Sequence, residues 1–178
     1  MKSRRLRHRR ARASAMPASS INAELPPAEA LVRAAHDLER LLRYRPRSQR
    51  EAEQRLLRKG YRAETVRQVL DKAQERGWLD DEAFARLWIS DRLLTKPKGA
   101  RALRSELRAK GVPDRIIERA LERAELDETA LARQLLQARL ACYAADDPQS
   151  RERKLTAFLA RRGFAYQVIR AVLRELAQ

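Results

Sequence analysis

Gly60, Gly111 and Gly163 lie 51 and 52 residues apart, and the residues around them repeat. Four positions before each glycine stands a leucine (Leu56, Leu107, Leu159), and one before it a base (Lys59, Lys110, Arg162). One position after is apolar (Tyr61, Val112, Phe164), six after is Val66, Ile117 or Ile169, and ten after is Leu70, Leu121 or Leu173. Arg50, Arg101 and Arg153 stand ten before. A fixed period of this length marks a repeat architecture, in which units too small to bury their apolar faces alone stack into a continuous core. The period has room for three helices of about 12 residues, each about 18 Å long.

Apolar spacing predicts those helices. Leu31, Ala34, Ala35, Leu38, Leu41 and Leu42 fall at steps of three and four until Tyr44 and Pro46. Ser48 is placed to cap a second helix with Ala52, Leu56 and Leu57, and a third carries Val66, Val69, Leu70 and Ala73 up to Gly77. The same grammar returns with Ala83, Phe84, Leu87, Trp88 and Leu94, then Leu103 and Leu107, then Ile116, Ile117, Ala120 and Leu121 after Pro113. It returns again with Ala130, Leu131, Leu135, Leu136, Ala138 and Leu140, then Leu155, Phe158 and Leu159, then Val168, Ile169, Val172 and Leu173. Leu, Ala, Arg and Glu dominate, aromatic residues are only 5%, and strand-favouring types are sparse, so no sheet is expected. The expected fold is all-α: three tandem three-helix repeats at 27–77, 78–125 and 126–178, forming an elongated, curved stack behind a basic arm at 1–26.

Composition excludes several kinds of chemistry. Cys142 is the one cysteine and His8 and His36 the two histidines, too few for a disulfide or a zinc site. No glycine loop has the spacing that cradles phosphate, since Lys98-Gly99 lacks the surrounding pattern. Asp80, Asp81 and Glu82 read as a helix cap with acids in its first turn rather than a metal cluster, and Gly60, Gly111 and Gly163 read as helix-ending residues with positive φ. Cys142, between Ala141 and Tyr143, reads as a small buried thiol. No apolar run approaches a membrane span. The expectation is a cytoplasmic, non-enzymatic protein with no cofactor, metal, membrane contact or small-molecule substrate.

Charge points toward a polyanionic partner. Forty Lys and Arg stand against 24 Asp and Glu, a formal net charge of +16. Seven basic residues and no acid occupy Met1 to Ala15, which expects a disordered arm; Met16 is an alternative start that would remove it. Lys98, Arg101, Arg104 and Arg108 recur at three, three and four, which places them on one helical stripe, away from Leu103 and Leu107, able to follow a phosphate backbone or an acidic ridge. Arg50 and Arg153 are the matching positions of the outer repeats, and Arg92 is one turn beyond Trp88. Solubilising arginines are the alternative reading of the stripe. Trp78 and Tyr61 read as packing residues, since so few aromatics make no platform, with base stacking as the alternative.

The run Leu57-Arg58-Lys59-Gly60-Tyr61, then Gly77-Trp78-Leu79-Asp80-Asp81-Glu82-Ala83-Phe84-Ala85 with Trp88 and Arg92, then Lys98-Gly99, Glu106-Leu107 and Lys110-Gly111-Val112, closely resembles the RecX family. Phe158 to Phe164 with Val168-Ile169 is similar to that family's C-terminal repeat, so the resemblance covers residues 28–178 and leaves out the arm. It implies a modulator of the RecA recombinase that binds the groove of the RecA–DNA filament and suppresses its ATP hydrolysis, strand exchange and coprotease activity. It also implies contact with single- and double-stranded DNA, and makes Arg50, Arg92, Lys98, Arg101, Arg104, Arg108 and Arg153 candidate filament contacts. A general DNA- or RNA-binding helical protein, or a helical scaffold for another partner, are the competing classes.

Overall fold

The computed structural model describes residues 22–176, and these are helical throughout, with no strand among them. The expected basic arm falls outside the described residues up to position 21. Asn22 to Glu24, which the sequence groups with the arm, form a helical turn. The first unit consists of α1 (Pro27–Tyr44), α2 (Gln49–Arg58) and α3 (Ala63–Glu75). The second consists of α4 (Asp81–Thr95), α5 (Ala100–Ala109) and α6 (Asp114–Arg123), and the third of α7 (Glu128–Leu140), α8 (Pro148–Arg161) and α9 (Tyr166–Leu176). No described helix is long and apolar enough to cross a membrane.

Local chemistry sets the boundaries. Ser48 Oγ accepts from the Glu51 amide, and one oxygen of Asp80 accepts from the amides of Glu82 and Ala83, so both are N-caps. Gly60, Gly111 and Gly163 adopt φ of +86°, +79° and +82° just past the ends of α2, α5 and α8, where a Cβ would be strained.

Each unit buries its own cluster of side chains. Leu38, Leu56, Val66 and Leu70 centre the first, Phe84, Ile89, Leu103, Leu107 and Ile117 the second, and Leu136, Leu159, Phe164, Ile169 and Val172 the third. The core is therefore divided by unit and not continuous as the repeat period suggests. The reason is that neighbouring units meet through helix ends, which carry unsatisfied polar groups, instead of through apolar faces.

Two further expectations, those for Cys142 and Lys98, change. Cys142 is exposed, because α7 stops at Leu140 and a single 3₁₀ turn over Ala141–Tyr143 carries the thiol outward. Leu87 and Leu94, seven residues apart, share the outer face of α4 and are 57% and 82% exposed, while Ala85 and Ile89 turn inward with Phe84. Lys98 precedes α5 instead of lying on it. Tyr61 is buried, its hydroxyl donating to Asp37 at 2.8 Å, and so has no face for a base; Trp78 is half exposed, with the Arg76 guanidinium 5.2 Å from its ring centroid.

Candidate functional site

The middle helices α2, α5 and α8 carry most of the candidate contact residues and also hold the units together. At the first joint, Ser48 Oγ donates to the Lys110 carbonyl at 2.6 Å, and the Gln49 amide donates to an Asp81 carboxylate oxygen at 2.9 Å. At the second, the Gly99 amide donates to the Arg162 carbonyl at 2.9 Å, and the Ala100 amide to a Glu128 carboxylate oxygen at 2.8 Å. One rule describes both. The open N-terminus of a middle helix binds the carbonyl at the end of the next unit's middle helix, together with the acid that begins the next unit's first helix, so opposite helix poles meet and orphan groups satisfy each other.

At the outer ends of α2 and α8 other groups take the place of a joint. Asn22 Nδ2 donates to the Lys59 carbonyl at 2.6 Å, which gives the first unit the partner that Ser48 and Gly99 give the other two. The last middle helix, α8, is 14 residues long where α2 and α5 have ten. Its extra turn is capped by Asp147, and Arg151 folds back onto the carbonyls of Tyr143, Ala144 and Asp146. The base before each glycine, visible in the sequence without an explanation, thus marks the joint carbonyls.

Around the first joint lies a charged network. Glu106 accepts from Trp88 Nε1 and Arg92 Nε, both at 2.9 Å, and pairs with Lys98. Burial pushes its carboxyl pKa up, but hydrogen bonds from Lys98, Trp88 and Arg92 outweigh this and hold it below the usual range. The Arg92 guanidinium lies 4.1 Å from the Trp88 ring centroid and the Lys110 ammonium 5.0 Å from it. Lys110 also donates to Glu51 at 2.8 Å, which receives Arg45 as well. Burial again acts upward, yet these donors bring the Glu51 pKa down to about 2.

The seven candidate bases therefore divide. Arg92 and Lys98 are held by Glu106, Arg104 makes a two-pronged contact with Glu118 at 2.8 and 2.8 Å, and Arg108 pairs with Asp114 at 2.6 Å. Arg101 and Arg153 are exposed and make no ion pair among the described residues. Arg50 is exposed too, its aliphatic stem lying against the Gly111 backbone. Sequence spacing places cations on a face but says nothing of the acids on α6, which it takes the fold to bring alongside. Among the described residues no cluster of His, Cys, Asp and Glu is arranged to hold a metal ion.

Three family models match in series: the RecX first three-helix domain over residues 39–72, the second over 80–121 and the third over 126–173. The chain belongs to the RecX family. A regulatory protein RecX from Amycolatopsis mediterranei (strain U-32) is 39% identical over 158 residues, covering 86% of this chain and 90% of that one. One from Pelodictyon phaeoclathratiforme (strain DSM 5477 / BU-1) is 39% identical over 137 residues, covering 77% and 84%. The crystal structure of RecX from Lactobacillus salivarius superposes with a TM-score of 0.78 at 22% identity, over 84% of this chain and 98% of that one, which supports the same RecX fold. In this RecX-family chain each matched domain falls on a different helical unit, the first beginning within α1, so the joints join one matched domain to the next.

Proposed function

We propose that this protein is a non-enzymatic regulator, mainly an inhibitor, of the RecA recombinase, acting in the cytoplasm in DNA repair, recombination and the SOS response. The observation that carries the reading is the serial match of three RecX domains, one to each helical unit, with relatives named as regulatory proteins aligned over most of both chains. In this reading the protein lies on the RecA–DNA filament and suppresses its ATP hydrolysis, strand exchange and coprotease activity, while RecA supplies the nucleotide site.

Contacts with the filament are assigned to Arg50, Arg101 and Arg153, which have no ion-pair partner among the described residues, and to Arg92, Lys98, Arg104 and Arg108, which add to the contact by exchanging their internal partners. An exchange of this kind costs less at exposed pairs, so Arg108, opposite an exposed Asp114, contributes more readily than Arg92.

The test is single-stranded-DNA-dependent ATP hydrolysis by the cognate RecA, titrated with this protein up to equal stoichiometry beside a DNA-binding control. Inhibition while DNA remains free supports the reading. A fall only as DNA is sequestered supports the second reading, a general DNA- or RNA-binding helical protein, which the formal charge of +16 favours. Charge reversal of Arg50, Arg101 and Arg153 together is expected to weaken inhibition at moderate salt; unchanged inhibition sinks their assignment.

A further inference from the structure

The three units share a backbone plan but not a charge plan. Counting from each repeat glycine, the positions seven before and three, seven and eleven after hold Glu53, Ala63, Arg67 and Asp71 in the first unit. They hold Arg104, Asp114, Glu118 and Glu122 in the second, and Thr156, Tyr166, Arg170 and Arg174 in the third. In the second unit this face neutralises itself through Arg104–Glu118 and Arg108–Asp114, and in the first Arg67 is held by Glu64 at 2.6 Å.

In the third unit the acids at these positions are gone. Arg170 and Arg174 are exposed one turn apart on α9, and Arg153 is exposed on α8 three residues before Thr156. None of the three makes an ion pair among the described residues, and Glu175, the acid beside Arg174, is held by Arg133 at 2.7 Å. Glu152 is the one carboxylate lining the notch between the helices, which measures about 290 Å³ and is bounded by Thr156, Tyr166, Ile169, Arg170 and Arg174. The notch corresponds to one in the first unit that the second unit walls with Asp81, Gly111 and Pro113; here its lining, among the described residues, comes from α8 and α9 alone.

At its rim stands an aromatic ring. Tyr166 is 66% exposed, with the Arg170 guanidinium 5.7 Å from the ring centroid. We propose that the α8–α9 face of the third unit is a single-stranded nucleic-acid contact, in which Tyr166 stacks a base and Arg153, Arg170 and Arg174 hold the flanking phosphates. An exposed ring among uncompensated guanidiniums matches a chain of alternating bases and phosphates, since every base offers a π-face and every phosphate a charge. An acidic protein ridge matches the charges and leaves the ring without a role. The assignment deepens the DNA side of the function proposed above, but contact with free DNA requires no RecA.

The experiment measures binding of the full chain to fluorescein-labelled dT20 by anisotropy at several salt concentrations, without RecA. R170E/R174E restores to the third unit the acids of the second. It is expected to weaken binding at least about tenfold and to flatten the log–log salt slope by about 1.4, near 0.7 for each lost phosphate on a single strand. Y166A is expected to weaken binding about tenfold with the slope unchanged, and Y166W to restore it. R33E/R40E on α1 makes the same charge change elsewhere and is expected to have the smaller effect; circular dichroism checks that every variant stays helical.

An equal loss in R33E/R40E overturns the assignment in favour of general charge attraction. Unchanged dT20 binding in both third-unit variants, or no binding by the parent chain, also overturns it. Loss of RecA inhibition by Y166A with dT20 binding intact makes the face a protein contact and overturns it as well. Inhibition of RecA by the parent chain is scored separately, so the two proposals fail independently.

Discussion

Lys110 reaches back across the first joint and places its ammonium 2.8 Å from a Glu51 carboxylate oxygen, while its own main-chain carbonyl receives the Ser48 hydroxyl. One residue thus ties the end of α5 to the start of α2 through both side chain and backbone. Because Glu51 is only 17% exposed and already bound by Arg45, removing its charge strands two cations at a partly dry joint.

E51Q is therefore expected to lower stability by about 1–2 kcal/mol at pH 7, measured by urea denaturation. The Glu51 pKa is depressed to about 2, so its contribution is fully present above the ordinary carboxylate range near 4.5 and is lost as pH falls toward 2. Between pH 4.5 and 2 the parent protein should lose more stability than E51Q does. Parallel losses would exclude Glu51 as a source of acid sensitivity.

Tyr61 makes the opposite prediction at high pH. Burial, together with the Asp37 carboxylate that accepts its hydroxyl, pushes its pKa up to about 12. The neutral phenol is thus favoured in the folded state, and its contribution is present below pH 10 and lost as pH rises toward 12. Y61F should flatten the alkaline decline in stability above pH 10.

The glycines should separate by what lies next to them. A Cβ at Gly77 meets nothing, so G77A incurs only the left-handed backbone cost, about 1 kcal/mol. At Gly163 a Cβ would overlap the Ala102 backbone at the second joint, and there G163A should be worse by at least about 1–3 kcal/mol. Thermal denaturation of the two variants gives the order, and equal losses would mean that the joint yields without cost.

Glu125 occupies a left-handed conformation, φ +44°, just past the end of α6, where the first unit has Gly77. E125G should raise stability by about 0.5–1 kcal/mol, because glycine takes up that conformation without a Cβ penalty. Loss of stability on chemical denaturation would show that the Glu125 side chain makes a contribution greater than the strain.

Cys142, read from its apolar neighbours as buried, is exposed in the fold. One thiol per chain should react with a thiol-specific reagent in native buffer without denaturant, and protection until unfolding would contradict its position.

The repeat, the helix number, the caps at Ser48 and Asp80 and the glycine ends were legible in the sequence, because each depends on residues within a turn or two of one another. Helix propensity, 3–4 spacing and positive-φ glycine are local chemistry. Which apolar stripe of α4 turns inward was not legible, because a helix with apolar residues all round does not say which one its neighbours cover; α6 covers that of Phe84 and Ile89 and leaves Leu87 and Leu94 exposed. The stripe from Lys98 to Arg108 was legible as positive charge, but its compensation was not. Glu118 meets Arg104, and Glu106 meets Arg92 and Lys98, only after α4, α5 and α6 have packed.

The sequence by itself determined a three-unit helical chain with excess positive charge and a repeating base before each glycine. Only the tertiary structure decided that those bases sit at the joints, that most of the central stripe is spent internally, and that free charge gathers beside Tyr166. The physical reason is that a periodic pattern fixes which side of a helix a residue occupies, whereas the energy of a charge depends on what stands opposite it, and that is set by distant segments brought together by packing.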